Sequence, residues 1–448
     1  MSQINFLYTQ GDLQSIADDI ITKTLHAGAT AAQVEVSESI STDIEILNQQ
    51  TENFETSHEN QLVLTVFKGT RKGHVGISNI QPHNLPEIIK NALDIATYTE
   101  EDPANGLLDK KYLLQELPPE LGLYNLHSDS NHNLIAEAKE LEQQARDYSP
   151  LITASDGSSL SLTRYNFVTA NSNGFNRGYQ TSRYSKYVSL IGETATGMQT
   201  DYWYSSSRNF RQLDSNTRVA ALAGERVLRR LDKGTFTSSA PAVIFESSLA
   251  KSIIGSLIGA LSGGSLYRRL SFLNDSLNTQ ILPQWFNVSE DPFVYGGLSS
   301  CYFDNEGSQV CARDIIKSGI VNGYLLSSYT ARKMNMAPTG NSGGSHNIMV
   351  THNISGNLAT LAQQMVNGLI IIETIGHGLN MVTGDYSVGA SALVVENGEI
   401  GHFVDNLTIS GNMREIYKNI LALNDNSDPG SIICGDMLIA PEVIQVNC

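Results

Sequence analysis

The sequence predicts an α+β fold in two parts: N-terminal antiparallel sheets with packed helices, then a mixed, β-rich C-terminal part that opens on a buried helix. Three observations predict it. Helical and strand periodicities alternate without the sustained strand–helix–strand rhythm of a doubly wound parallel sheet. The opening segment reads helix, three strands, helix, which is the pattern of an antiparallel sheet covered on one face. A chain of 448 residues exceeds one ordinary core, and a polar break divides it into 1–238 and 239–448.

Taken in order, Leu13, Ile16, Ala17, Ile20, Ile21, Thr24 and Leu25 share one helical face, with Gly28 as the stop. Strand-like runs follow at 32–36, 42–47 and 62–67, with Gly69, Gly73 and Gly76 expected at turns. A second helix has Asn84 as a candidate cap and Pro86 in its first turn, and Ile88, Ile89, Ala92, Leu93 and Ala96 face the core. Residues 99–131 are polar and broken by Pro103, Pro118 and Pro119, so they read as a connection and a possible subdivision of the N-terminal part. A charged helix over 134–148 leads into a Ser-, Thr- and Tyr-rich β tract over 152–209. A helix over 215–231 closes the N-terminal part.

The second part begins with a strand at 242–245 and a helix at 247–261. Further helices are expected at 329–334 and 358–366, a strand at 369–373, and a last helix carrying Met413, Ile416, Tyr417 and Ile420. Asn397-Gly398 between two apolar alternating runs is the strongest hairpin signal in the chain.

Composition narrows the function. Lys and Arg total 29 against 46 Asp and Glu, a net charge of −17, and no dense basic run occurs. Such a surface repels phosphates, so nucleic-acid binding is not expected. The N-terminus has no basic and apolar leader, and the longest apolar stretch, near 253–261, is far short of the roughly 20 residues that cross a bilayer. Four cysteines without a C-x-x-C pair suit a reduced, cytoplasmic protein; Cys301 and Cys311 are read as thiols, with a shared disulfide or metal as the alternative.

Three local patterns imitate active sites. Gly340-Asn341-Ser342-Gly343-Gly344 fits G-x-S-x-G, but no apolar strand precedes it and His346 follows too closely, so a glycine-rich loop is expected. Glu373 and His377 have helical metal-pair spacing, yet β-branched residues precede them and glycines flank the histidine. On a strand, residues four apart lie about 13 Å from one another, too far for one ion. His58-Glu59 begins like H-E-x-x-H, but Leu62 takes the second histidine's place. An absence says more: no histidine occurs between His132 and His346, and no glutamate between Glu246 and Glu290. The first helix of the C-terminal part therefore offers neither an imidazole nor a glutamate base.

Seven ordered segments of that part resemble the TldD/PmbA family, and specifically its PmbA (TldE) branch. They are Tyr267-Arg268-Arg269-Leu270-Ser271-Phe272-Leu273, Gln280-Ile281-Leu282-Pro283, Phe303-Asp304-Asn305-Glu306-Gly307, Tyr329-Thr330-Ala331-Arg332-Lys333, Thr339-Gly340 with Gly343-Gly344-Ser345-His346-Asn347, Val382-Thr383-Gly384-Asp385-Tyr386-Ser387, and Val395-Glu396-Asn397-Gly398-Glu399-Ile400 with Ile409-Ser410-Gly411-Asn412-Met413. The N-terminal part adds Ala170-Asn171-Ser172-Asn173-Gly174-Phe175.

In the TldD branch, an H-E-x-x-x-H helix and a later cysteine hold a hydrolytic zinc. Registered on Arg268-Arg269, the three helix positions here are Gly255, Ser256 and Ala260, and no cysteine lies near Val388, where the fourth donor would fall. The resemblance thus implies a chain without its own zinc or other cofactor, a TldD-type partner carrying the zinc, and unfolded peptides as substrates. It implies a heterodimer with that partner, or a homodimer when alone. Gly343, Gly344, His346 and Asn347 are the candidates for a peptide-binding loop; the alternative is that the glycines only permit a tight turn. Gly376-His377-Gly378 departs from the branch, which more usually has Gln in the middle, leaving His377 as a candidate contact. Two other readings stay open: a self-sufficient metallopeptidase using His346, His352, His377 or His402, and a homodimeric peptide-binding module.

Overall fold

A computed structural model describes residues 5–78, 82–195 and 197–447. Helix α1 (Gln10–His26) starts on a reciprocal Thr9–Asp12 capping box, and the chain leaves it through Gly28 at φ +105°. Strands β1 (Ala31–Leu47), β2 (Gln50–Lys68) and β3 (Arg71–Ser78) follow, then α2 (Leu85–Tyr98). Asn84 stands before α2 without bonding it through its side chain. After a long irregular segment come α3 (Asn131–Arg146), β4 (Ile152–Asn171), β5 (Asn176–Thr194), β6 (Gly197–Ser207) and α4 (Asn216–Leu228).

The expected order of helix, three strands and helix is present, but the strands are longer and differently placed than the apolar runs suggested. The runs at 32–36 and 42–47 are one strand, and Gly73 and Gly76 lie inside β3 rather than in turns. Polar residues bridge the expected break: Glu38 is fully buried in mid-strand, accepting the Leu7 amide and bonding His58 Nε2 at 2.5 Å. That bond also disposes of the His58-Glu59 pattern. The six strands form a single antiparallel sheet, ordered β3-β2-β1-β4-β5-β6, rather than several.

All four helices cover one face of this sheet. Val34, Val36, Leu62, Leu64, Val66, Val168 and Ala170 meet α1 and α2. Ile44, Ile46 and Leu160 meet α3, and Val188 and Leu190 pack with α3 and α4. Alternation turns Tyr165, Phe167, Thr169 and Tyr179 to the opposite face. The connection over 99–130 is more than a linker. Leu108, Leu113, Leu114, Leu121 and Leu123 bury themselves with Phe175, Tyr302 and Phe303, so the segment is a strap packed between the two parts of the chain.

The C-terminal part runs β7 (Ala242–Phe245), α5 (Ser247–Ala260), α6 (Gly263–Tyr267), β8 (Val288–Asp291), β9 (Arg313–Lys317), β10 (Ile320–Val321), α7 (Ser328–Lys333) and β11 (Asn347–Val350). It continues α8 (Leu358–Met365), β12 (Gly368–Ile375), β13 (Asp385–Glu396), β14 (Glu399–Asn412), α9 (Met413–Lys418), β15 (Ile420–Leu423), β16 (Ile432–Ile433), β17 (Met437–Ile439) and β18 (Gln445–Asn447). A mixed seven-stranded sheet has the order β15-β17-β7-β12-β13-β14-β18, and a mixed five-stranded sheet the order β10-β9-β8-β11-β16. β7 pairs with β12 in parallel, and β11 with β16, while the other pairings are antiparallel. Asn397 and Gly398 both have positive φ (+52° and +83°), the backbone a two-residue hairpin requires. The core of this part centres on α5, whose Ala250, Ile253, Ile254, Leu257, Ile258 and Ala260 are buried against both sheets.

Charged side chains fasten the two parts together. Glu246, just ahead of α5, accepts Arg226 at 2.9 Å and both terminal nitrogens of Arg229 at 2.7 and 3.0 Å. Arg230 bridges Asp201 on β6 to Glu373 on β12, at 2.7 Å each.

Candidate functional site

Helix α5 turns most of its apolar side chains to the core and presents its two glycines, with Ile258 between them, on the other face. Gly255, Ile258 and Gly259, with Ser262, Gly263 and Gly264, form one wall of a cleft of about 530 Å³. Ser342, Gly343, Gly344 and Ser345 form the facing wall. A Cβ at Gly255 would meet only Ile432 Cδ1, and one at Gly259 only Met381 Cε, each at 3.8 Å. Packing therefore does not demand glycine at either position, and their smallness leaves the cleft open.

The facing loop is fixed from behind by two buried carboxylates. Glu290 on β8 accepts Asn341 Nδ2 at 2.7 Å, the His346 amide at 2.8 Å and Arg313 Nε at 3.0 Å. Asp304 accepts the amides of Ser342, Glu306 and Ser308, each at 2.9 Å. Burial pushes the Asp304 carboxyl up to about 6, and the Glu306 charge adds to the rise against those amide bonds. Between the anchors, Gly343 and Gly344 have φ of +113° and +120°, a backbone that side chains beyond glycine rarely adopt. The G-x-S-x-G pattern is thus an anchored loop, with no strand-to-helix elbow.

The other candidates lie in different settings. His346 is buried on the far side of the loop; its Nε2 donates to the Gly340 carbonyl at 2.9 Å and its Nδ1 lies 3.3 Å from Cys301 Sγ. Asn347 has both side-chain atoms engaged within the protein, bonding Asp291 O and Ser300 Oγ at 2.8 Å and the Ser299 amide at 3.1 Å. Asn347 therefore does not serve the cleft with the glycines, because its polar atoms hold the 291–300 segment. His377 is exposed in the bend after β12, and Glu373 faces Arg230, so the pair spaced like helical ligands sits on a strand entering a turn. His352 is exposed, and His402 Nε2 lies 3.1 Å from Thr235 O. Cys301 and Cys311 are free thiols.

A metallopeptidase ion does not fit the donors on α5. Gly255 and Ala260 have no donor atom, and the Ser256 hydroxyl donates to the Ser252 carbonyl at 3.0 Å. Ala260 is also fully buried, off the face that Gly255 presents to the cleft. Among the described residues, no three His, Cys, Asp or Glu side chains are placed to hold a metal ion. Sequence reasoning missed Glu290, Asp304 and Cys301 as shapers of this region. Asp304 lies in a quoted family segment, but only the fold brings it beneath the loop.

Three models of the PmbA/TldD type match the chain: domain 1 of the PmbA/TldA metallopeptidases over residues 32–96, their central domain over 124–231 and their C-terminal domain over 238–445. The metalloprotease PmbA homolog of Haemophilus influenzae is 37% identical over 95% of each chain. The metalloprotease PmbA of Escherichia coli O157:H7 is 36% identical over 92% of this chain and 91% of its own. Among solved structures, a protein described as a modulator of DNA gyrase from Bacteroides thetaiotaomicron superposes with a TM-score of 0.90 at 25% identity, covering 97% of this chain and 98% of its own. TldE from Thermococcus kodakarensis shares the fold, with a TM-score of 0.79 at 17% identity over 96% and 99% of the two chains.

Proposed function

The chain belongs to the PmbA/TldD metallopeptidase family, and from that premise we propose that it is the subunit that holds peptides for a zinc-bearing TldD-type partner rather than the one that cuts them. The observation that carries this reading is the surface of α5. A helix that would present two imidazoles and a glutamate in a TldD-type subunit presents Gly255, Ser256 and Ala260 here, and its glycine face opens on a cleft instead. Gly and Ala cannot ligate, and a serine hydroxyl cannot serve as the water-activating base at neutral pH.

The cleft suits an extended chain more than a compact ligand. Its walls are backbone-rich, with glycines and serines on both sides, so an unfolded peptide would be recognised through main-chain groups and little by its side chains. The partner would supply the zinc and the glutamate base to such a peptide. The proposed assembly is a heterodimer, with a homodimer when the partner is absent, and neither nucleic acid nor membrane takes part. The net charge of −17 agrees with the exclusion of nucleic acid. The name of the Bacteroides relative would then reflect peptide processing rather than contact with DNA.

The test is a cleavage assay on an unstructured peptide, using this chain alone, an H-E-x-x-x-H relative alone, and the mixture. Cleavage by the mixture well above the relative alone, with none by this chain, is expected. Efficient cleavage by this chain alone would sink the proposal.

A further inference from the structure

The glycine loop separates the cleft from a second, smaller cavity of about 210 Å³, which the peptide-holding reading does not use. Phe167, Thr169 and Tyr179 from the helix-free face of the large sheet line one side of it, and Cys301, Asp304 and His346 the other. Two features of its wall stand out. The first is the Cys301 Sγ–His346 Nδ1 contact at 3.3 Å. The Gly340 carbonyl can only accept, so His346 Nε2 carries the ring proton and Nδ1 presents a lone pair to the thiol. The second is Thr169. Its side chain is 1% exposed and its Oγ1 has no hydrogen-bond partner, an arrangement that costs free energy unless something in the cavity completes it.

We propose that this cavity is a thiol-exchange site, in which Cys301 takes up a small, neutral disulfide with His346 as its base and Thr169 as a hydrogen-bonding contact. The step balances without another oxidant. His346 Nδ1 takes the thiol proton, the sulfur of Cys301 attacks one sulfur of the bound disulfide, and the S–S bond of the reagent breaks as the new one forms. The departing sulfur receives the proton from His346 and leaves as a thiol, so one disulfide is consumed and one is made.

The surroundings make the site dependent on its base. Burial pushes the Cys301 thiol up to about 12, and the nearby Asp304 and Glu290 carboxylates push the same way, so no thiolate is resident. The same carboxylates repel anionic reagents, so the reagent that can sit beside His346 is neutral, and exchange depends on His346 taking the proton as the sulfur attacks. Cys301 is also partly exposed, between the exposed Cys311 and the buried Cys434, which serve as internal references.

The experiment treats the native chain with 2-hydroxyethyl disulfide and follows adducts at each cysteine by peptide mass mapping. Cys301 is expected to label much faster than Cys434, and H346Q to slow Cys301 by about a hundredfold, the low end for loss of a positioned base, while Cys311 is unchanged. T169V gives the second arm, and decides alone if H346Q does not fold. Removing an unpartnered hydroxyl should leave Tm unchanged or raised, yet slow labelling of Cys301 severalfold. Labelling of Cys301 no faster than of Cys434, or at the wild-type rate in T169V or in folded H346Q, overturns the proposal. Because the readout is a mass at one residue, its failure leaves the peptide-holding reading untouched.

Discussion

Asp304 accepts three backbone amides from two segments, so its protonation state reaches the loop that walls the cleft. Its carboxyl is raised from 3.8 to about 6, so between those values the folded chain holds a proton that the unfolded chain has released. Its contribution to stability therefore improves as pH falls from 7 through 6, the reverse of a carboxyl held low by an ion pair. Denaturant titrations of wild type and D304N at pH 7 and pH 5 should show wild type gaining on the variant by about 1 kcal/mol, the part of the shift collected across that interval. A difference that stays flat would mean that the amides, not burial, govern this carboxyl. Gly344 makes a cleaner point about the loop itself. A Cβ there meets nothing within 4 Å, so G344A tests backbone strain alone at φ +120°. A loss of more than about 1 kcal/mol is expected in thermal melts, with weaker stimulation of the partner's cleavage. A neutral G344A would show that the glycine is dispensable. The loop's glycines were legible because a positive φ restricts residue type. The Cys301–His346 contact was not, since partners 45 residues apart are joined only by tertiary structure.

At the level of elements, α7 gives a family segment a physical task. Arg332 donates to the carbonyls of Ala104 at 3.0 Å and Gly106 at 3.2 Å, and also to that of Leu107. Lys333 and Tyr329 both reach Asp102 at 2.8 Å, and the Lys333 contact leads in holding the Asp102 carboxyl down to about 2. The helix thus clamps the start of the strap. R332A should cost about 2 kcal/mol and open residues 102–117 to limited proteolysis; an uncut strap at wild-type stability would contradict the clamp. Most helices were readable from periodicity and caps, and β7 and the Asn397-Gly398 turn lie where the sequence put them. Helix α6 was hidden because Gly263-Gly264-Ser265 resembles a loop, and the strap because prolines and polar residues outweighed five scattered leucines. The breaks expected inside β1 failed because buried polar residues can continue a strand when partners such as Leu7 and His58 meet them.

Across the whole molecule, the two parts meet through ionic contacts as well as the strap. Burial raises the Glu246 carboxyl, but Arg229 and Arg226 outweigh it and hold the group below its ordinary value. E246A would strand the Arg229 guanidinium and leave Arg226 with Asp201 as its one remaining carboxylate, at 3.1 Å, and should cost about 3 kcal/mol in denaturant unfolding. A loss under about 1 kcal/mol would mean that apolar packing alone joins the parts. The latch lies one residue before α5, so it also fixes the helix whose glycine face forms the cleft. The family and the α+β class were legible from ordered segments, yet the cleft itself needed the fold, because its walls come from residues about 85 apart in sequence. The most direct measurement is the zinc content of this chain, purified from metal-supplemented medium and again after assembly with an H-E-x-x-x-H relative. The account predicts well under one zinc per chain for this protein alone, and one per heterodimer in the complex. A full equivalent of tightly held zinc in the isolated chain, lost together with peptide cleavage on adding chelator, would contradict it.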